Sequence, residues 1–504
     1  MNPIDRKLYL ASITDRYVKG KMDRRSFLRA AGKLGLGAGV LGLSSMMPFG
    51  GRGGFISPAA AAEIEPDAEM MAWLKETAKP FAGQTVRLAT ESTPPSNAIN
   101  SALKPFFEAA TGIKVEIEVL PLEQVLQKLT LDVASGLGTY DLYYIDQSWM
   151  ASFSGDVIDP REKYAASTDL AMPNYNMDDF LPALVDGISM YEDTMVGVPY
   201  DIPIFITMYR ADIYEELGLK VPTTMDEYMA NAVAIQQAKQ PEIYGTNGQM
   251  KSGHYSLECD WTAWLWAHGG SIFGPDGKFT GNDEAGLAAM EYWIKLKENM
   301  PEGVTTWTWD GQGQSMAQGI IGQALSWGEF FPFWDNPEAS KVSGLMEAAV
   351  PPAPKAPLRT TAQTGYGEIP GVGHQGGSSL AVSKYSKNED AAWLFAQWAT
   401  SFDTQVYITT LGGGTGPTRK SVYDDPRIKA NSKKGIGGTT RHLDAVRDTI
   451  ANHMGSEPDL PQWAELSNDT IPVELGRFWA GDYDSPKAAM DSIAEKVDSI
   501  VARG

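Results

Sequence analysis

Carboxylates and amides stand beside aromatic rings at several points along this chain. Asp146 and Gln147 precede Trp149, Tyr200 adjoins Asp201, Asp260 adjoins Trp261, and Glu329 follows two residues after Trp327. Glu91 and Ser92 end the first predicted strand, and Trp463 follows Leu460-Pro461-Gln462. His374 lies beside the turn Gly376-Gly377, and Arg419 follows a glycine-rich turn from which it can reach a cleft. A sugar or polyol presents hydroxyls, which donate and accept, and patches of C–H. Carboxylates and amides answer the hydroxyls, and flat rings answer the C–H patches. The chain holds 14 Trp and 20 Tyr to supply such rings, and Gly377 lets a backbone N–H come close to a ligand. Trp264, Trp266, Trp293 and Trp393 fall inside predicted helices and are expected in the core. Tyr200 and Asp201 fit a hinge as well as a ligand site.

Other chemistries lack their residues. Cys259 is the one cysteine, so no internal disulfide and no cysteine cluster can form, and the five histidines make no H-E-x-x-H pair. No cofactor or metal is expected. The run Gly412 to Gly416 lacks the Lys-Ser/Thr of a phosphate-binding loop. The formal net charge is −21, and the first 62 residues hold ten Lys and Arg against three Asp and Glu, so the remainder is more acidic still. Nucleic acid and anionic lipid are therefore poor partners. Two carboxylates such as Asp146 and Glu329 could hydrolyse a glycosidic bond, which leaves an exported hydrolase as the alternative to a binding module.

The elements that must position these residues alternate. Thr85 to Thr90, Lys114 to Leu120 and Tyr140 to Ile145 read as strands, with helices from Ala98 to Thr111 and from Glu123 to Ser135 stopped at Gly112 and Gly136. Leu103, Phe106 and Phe107 make the buried side of the first helix. This order predicts an open parallel α/β sheet, whose ligands sit beyond the carboxyl ends of the strands; Glu91, Ser92, Asp146, Gln147 and Trp149 all follow such ends. Farther on, Ile204 to Met208 reads as a buried strand, Asp212 to Leu217 as a helix stopped at Gly218, and Thr224 with Glu227 as a capping box. Ala489, Ile493, Val497 and Ile500 recur at helical spacing in a helix from Pro486 to Ala502.

Asp23-Arg24-Arg25-Ser26-Phe27-Leu28-Arg29 precedes an apolar run from Leu34 to Met47, and Ala59 to Ala62 supplies small residues for cleavage. The run is about 14 residues, short of the ~20 needed to span a bilayer. Residues 1–62 resemble a twin-arginine export signal, with Asp23 and Arg29 departing from its usual residues. Translation from Met22 would give that signal a more usual length. Without a cysteine near the cleavage site no lipid anchor is expected there, and the protein is expected in a bacterial periplasm. Residues 63–82 read as a tether or a helix lying on the body.

The stretches F-F-E-A-A-T-G-I-K-V (106–115) and A-S-G-L-G-T-Y-D-L (134–142) resemble the opening of the extracellular solute-binding proteins of carbohydrate ABC importers, the group that includes maltose- and glycerol-phosphate-binding proteins. M-Y-R-A-D-I-Y-E-E-L-G-L (208–219), Trp261 to Phe273 with D-G-K-F (276–279), Gln318 to Trp327, and Gly376 to Phe395 with Gly416-Pro417-Thr418 resemble later segments of that family in the same order. The resemblance implies a two-lobed periplasmic-binding-protein fold, each lobe an open α/β sheet, joined by a multi-strand hinge. It places 83–200 and 366–425 in the first lobe, and 201–365 and 426–504 in the second, with the second crossing near Thr361 to Gly373. It implies a monomeric receptor, not an enzyme, that delivers a carbohydrate or polyol to ABC permease subunits or presents it to a membrane sensor.

Overall fold

Glycine ends the early helices where sequence predicts. Gly112 and Gly136 adopt φ of +70° and +61°, a left-handed cap that other residues reach only with strain. The computed structural model describes residues 65–355, 373–413, 416–436 and 438–503, with backbone alone at 358–359 and 368–369. The export-signal residues 1–62 and most of the predicted second crossing lie outside the described residues.

Strands Thr85–Glu91, Lys114–Leu120 and Leu142–Asp146 run parallel, with the first in the middle. Ser378–Ser383 joins Leu142–Asp146 antiparallel and in turn pairs antiparallel with Val157–Ile158 and Val198–Asp201. The sheet is therefore mixed, not the purely parallel sheet expected. Its antiparallel strands come from later chain, and burial periodicity carries no information on direction. Every residue of Leu142–Asp146 and Ser378–Ser383 is buried, so both faces of the sheet centre are covered, as continuous apolar runs require.

The helical stretch before Gly112 starts earlier than predicted. Thr93 caps it by accepting from Ser96 N–H, and a π-helical segment, Ile99–Leu103, interrupts it. Leu103 and Phe107 are buried, whereas Phe106 is half-buried and lines an apolar groove with Met71 and Pro105 beside the N-terminal helix Ala68–Thr77. That helix tucks Met70 and Leu74 into the body, so the predicted tether is packed in this stretch.

A second sheet is antiparallel, in the order Met346–Ala349, Phe205–Arg210, Gln323–Trp327. Helices Ala211–Leu217, Met225–Lys239 and Tyr255–Ala267 follow its first strand in sequence, and the Thr224–Glu227 capping box is formed in full. Every residue of Tyr255–Ala267 is buried. A helix buried all round shows no amphipathic period, which is why Trp261, Trp264 and Trp266 recur without one. Helix Pro486–Val501 buries Ala489, Ile493, Val497 and Ile500, as their spacing predicts.

The chain leaves the first sheet at Asp201 and enters the second at Phe205. Beside this passage, Gln375 bridges to Ile204, and Gly376 N–H donates to Pro203 O at 2.9 Å, before the chain re-enters the first sheet at Ser378. Gly373–His374 pairs parallel with Met454–Gly455, which brings the C-terminal segment to the same place. Among the described residues, no helix is long and apolar enough to cross a membrane.

Candidate functional site

Four carboxylates converge where strands of the two sheets end. Glu91 and Asp146 close parallel strands of the first sheet, and Asp201 closes Val198–Asp201. Ser378 is the register partner of both Asp146 and Asp201, so the side chains of Ser378, Asp146 and Asp201 stand on one face. Glu329 arrives from the second sheet, in the single turn Gly328–Phe330 that follows Gln323–Trp327. Asp310, in the first turn of helix Trp309–Ala317, adds a fifth.

Each of Glu91, Asp146 and Glu329 feels the charge of other carboxylates of the set. Burial raises Glu91 well above the carboxylate range, and the charges of Asp146 and Asp201 push the same way. Burial raises Glu329 likewise, reinforced by Asp201, Glu91 and Asp310. Burial lifts Asp146 to about 7 and Asp310 to about 6. Glu91, Ser92 and Glu329 stay half-buried while Asp146, Asp201 and Tyr200 are buried, so Glu91 and Glu329 are the carboxylates of the cluster that solvent reaches.

Hydroxyls and rings complete the lining. Tyr144 OH donates to Glu91 Oε2 at 3.0 Å, and Tyr200 OH lies 3.2 Å from Ser96 Oγ, which meets Thr90 Oγ1 at 2.7 Å. The Tyr144 and Tyr200 rings stand edge to face, 6.2 Å apart. The arrangement offers hydrogen-bond acceptors in excess of donors, which suits a solute rich in O–H or N–H groups.

An adjoining network ties the connections between the sheets together. Gln375 Nε2 donates to Gln147 Oε1 at 2.9 Å, Gln147 Nε2 to Tyr255 OH at 2.8 Å, and Tyr255 OH to Glu457 Oε1 at 3.0 Å. His374 Nε2 meets the same Oε1 at 2.8 Å, and Trp463 Nε1 donates to Glu457 Oε2 at 2.6 Å. Burial would raise Glu457, but the hydrogen bonds from His374 and Trp463 overcome it and hold this carboxylate below its usual range. His374 is stacked on Trp266 at 5.5 Å.

This hub contains a group that sequence spacing did not show. Glu258, Cys259, His374 and Glu457 each place one donor atom within 4.8 Å of the others, all of them buried. Their types would suit a divalent ion. Both Glu457 oxygens are already occupied by protein donors, and Glu258, raised by burial and by the Glu457 charge, accepts from Thr262. The group accordingly functions as a hydrogen-bonded hub.

The residues singled out in the sequence thus fall into three sets. Glu91, Ser92, Asp146, Tyr200, Asp201 and Glu329 are brought to the pocket. Gln147, His374 and Trp463 belong to the hub; Gly377 adjoins it, its N–H donating to Gln375 Oε1 at 2.6 Å, so that donor is used within the protein. Trp327 packs beside the hub, its ring 5.7 Å from that of His374, and the others pack elsewhere. Trp327 donates to Gln249 Oε1 at 2.8 Å with its ring 4.2 Å from Phe205, and Gln249 in turn donates twice to Asp260, which burial raises to about 7. Trp261 stacks on Phe279, and Trp149 lies against Phe153. Arg419 is buried between Phe180 and Tyr175, at 4.1 and 4.6 Å, and donates to Thr400 O and Asn176 O. Tyr144 was legible, since it stands two residues before Asp146 and so on the same face. Asp310, Tyr255, Gln375 and Glu457 carry no local signal.

The raised carboxylates set a pH dependence. The unfolded chain releases their protons near pH 4, whereas Asp146 and Asp260 hold theirs to about 7 and Asp459, also lifted by burial, to about 8. The folded state binds more protons in that window, so stability falls as pH rises through it. Glu474, held to about 2, acts oppositely but only below the window, and His268, which burial lowers, opposes inside it as one group against three. The thermal midpoint of the solute-free protein is expected to be higher at pH 5.5 than at pH 8; a midpoint that rises toward pH 8 contradicts this.

Comparison with known proteins places this geometry. Residues 89–406 match the family described as bacterial extracellular solute-binding protein. The chain is 25% identical over 445 residues to the probable amino-acid ABC transporter periplasmic-binding protein y4oP of Sinorhizobium fredii, covering 84% of this chain and 91% of that one. It is 22% identical to the erythritol/L-threitol-binding protein of Mycolicibacterium smegmatis, covering 80% and 83%. An ABC transporter solute-binding protein from Agrobacterium radiobacter, solved with ribitol, superposes with a TM-score of 0.72 at 25% identity, covering 83% of this chain and 99% of that one.

Proposed function

The chain belongs to the bacterial extracellular solute-binding proteins, and on that premise we propose that it is the substrate-binding component of an ABC importer that captures a polyol or sugar. The observation that carries the reading is the pocket of Glu91, Asp146, Asp201 and Glu329, contributed by both sheets and edged by Tyr144 and Tyr200. The ribitol complex of the Agrobacterium protein and the tetritol-binding relative support a short polyol as the first candidate. The family binds solute and does not transform it, so the carboxylates are acceptors for hydroxyls.

In this reading residues 83–201 and 378–425 form one lobe, and 205–365 and 426–504 the other, the first boundary lying at Asp201 because that residue ends a strand of the first sheet. The segments 202–204 and 375–377 are the hinge. A solute that hydrogen-bonds both Asp146 and Glu329 favours the closed form in proportion to its contacts with both lobes, and the closed form is the one an ABC permease accepts. Residues 1–62 act as a twin-arginine signal, which places the receptor in the periplasm.

A thermal-shift screen of the refolded, solute-stripped protein against polyols and mono- and disaccharides tests the assignment. A solute that binds only the folded state at 100 times its Kd adds ~2.7 kcal/mol of stability. A polyol or monosaccharide is expected to raise the midpoint; a flat response across the set by well-folded protein contradicts the reading.

A further inference from the structure

The charge of the pocket goes beyond what hydroxyl recognition requires. Glu91, Asp146, Asp201, Asp310 and Glu329 bring five carboxylates together, and Glu457 lies close enough for its charge to reach Asp146. The charges acting most strongly on Glu91, Asp146 and Glu329 are other carboxylates. His254, whose charge acts on Asp310, is engaged by Glu123 at 3.0 Å, and His374 is engaged by Glu457 at 2.8 Å. Arg419, the cation expected in the cleft from sequence, is stacked between Phe180 and Tyr175.

Buried acceptors are also left over. Glu329 Oε2 and Asp310 Oδ1 are shielded from solvent and have no hydrogen-bond partner in the protein. Asp459, 8% exposed, adds an unpartnered Oδ2 next to Glu457. An ionised carboxylate buried without a partner is strongly destabilising, and a cation in contact with it removes the penalty. A neutral hydroxyl satisfies the hydrogen bond but does not favour the ionised form of such a group.

We propose that the solute carries a protonated amine alongside its hydroxyls, as an amino-polyol or amino sugar does, with the ammonium seated among Glu91, Asp310 and Glu329. The proposal rests on the solute-receptor reading and narrows its ligand class. An ammonium has three donors and no acceptor, which matches a cluster rich in acceptors. Binding a cation also favours the ionised form of carboxylates that burial keeps protonated, so protons leave as the amine enters. A neutral polyol, which donates to these groups without compensating charge, drives no such release.

Matched pairs decide it: sorbitol against 1-amino-1-deoxysorbitol, glucose against glucosamine, and galactose against galactosamine. Each is titrated calorimetrically into the full chain at pH 7 in two buffers of different ionisation enthalpy, at low and at 0.5 M salt. The amine member of at least one pair is expected to bind tenfold or more tightly than its neutral partner, with proton release and with an affinity that falls as salt rises. Glu91→Gln, which keeps an acceptor for Tyr144 OH, is expected to weaken the amine at least threefold more than its neutral partner, so that the ratio within the pair narrows. Neutral members binding as tightly as their amines, without proton release, would overturn the inference and leave the receptor reading standing. Binding by neither member of any pair, with other polyols and sugars also inert, would remove both.

Discussion

Glu329→Ala is expected to weaken solute binding between tenfold and a hundredfold, and to leave the empty protein as stable as before or more so. Hydrogen bonds to a charged group contribute about 1.5–3 kcal/mol, and ~1.4 kcal/mol is a factor of ten in affinity. Glu329 is half-buried, its Oε2 has no protein partner, and burial followed by the charges of Asp201 and Glu91 raises it well above its usual range. Removing it relieves like-charge repulsion in the empty pocket while deleting an acceptor the solute uses. A residue that only supports the fold would show the opposite pattern, with a lowered melting midpoint and unchanged affinity. Isothermal titration together with thermal melts separates the two. Unchanged affinity with lost stability would take Glu329 out of the site.

Glu457→Ala is expected to destabilise the protein by about 3–5 kcal/mol, the range for breaking a buried ion pair by removing one partner. Three buried donors converge on this carboxylate: Tyr255 OH, Trp463 Nε1 and His374 Nε2. None of the three can reach water once it is gone, since all their residues are buried. The damage extends past the hub, because Tyr255 holds Gln147 and Gln147 holds Gln375 at the passage between the sheets. Glu457→Gln keeps an acceptor oxygen and should cost less. Urea unfolding measures both; a loss below about 1 kcal/mol for Glu457→Ala would show that the donors find other partners.

These two carboxylates also mark how far the sequence can be read. Glu329 stands two residues after a tryptophan that ends a strand, and its place beside that ring selects it, as the ends of parallel strands select Glu91 and Asp146. Glu457 follows no regular element that announces it; it becomes a hub because Met454–Gly455 pairs with Gly373–His374, a contact between segments far apart in sequence. Helix ends at Gly112, Gly136 and Gly218 were legible because their left-handed backbone favours glycine over other residues. Strand direction was not, and the first sheet is mixed where alternation suggested a parallel one. Arg419 shows the converse error. A lone arginine near a glycine-rich turn looks like a cleft cation, yet two aromatic rings and two carbonyls claim it inside the body. Trp149 and Trp261 likewise read as ligand platforms, and the structure buries both against other rings.

The central claim is that one solute binds, unchanged, to carboxylates from both sheets. Isothermal titration of wild type and Asp201→Asn with the solute that most raises the melting midpoint tests it, followed by mass spectrometry of the recovered solute. One site per chain, at least a tenfold weaker Kd for Asp201→Asn, and recovery of the solute intact are expected. Equal affinity in the variant, or recovery of a hydrolysed product, would contradict it.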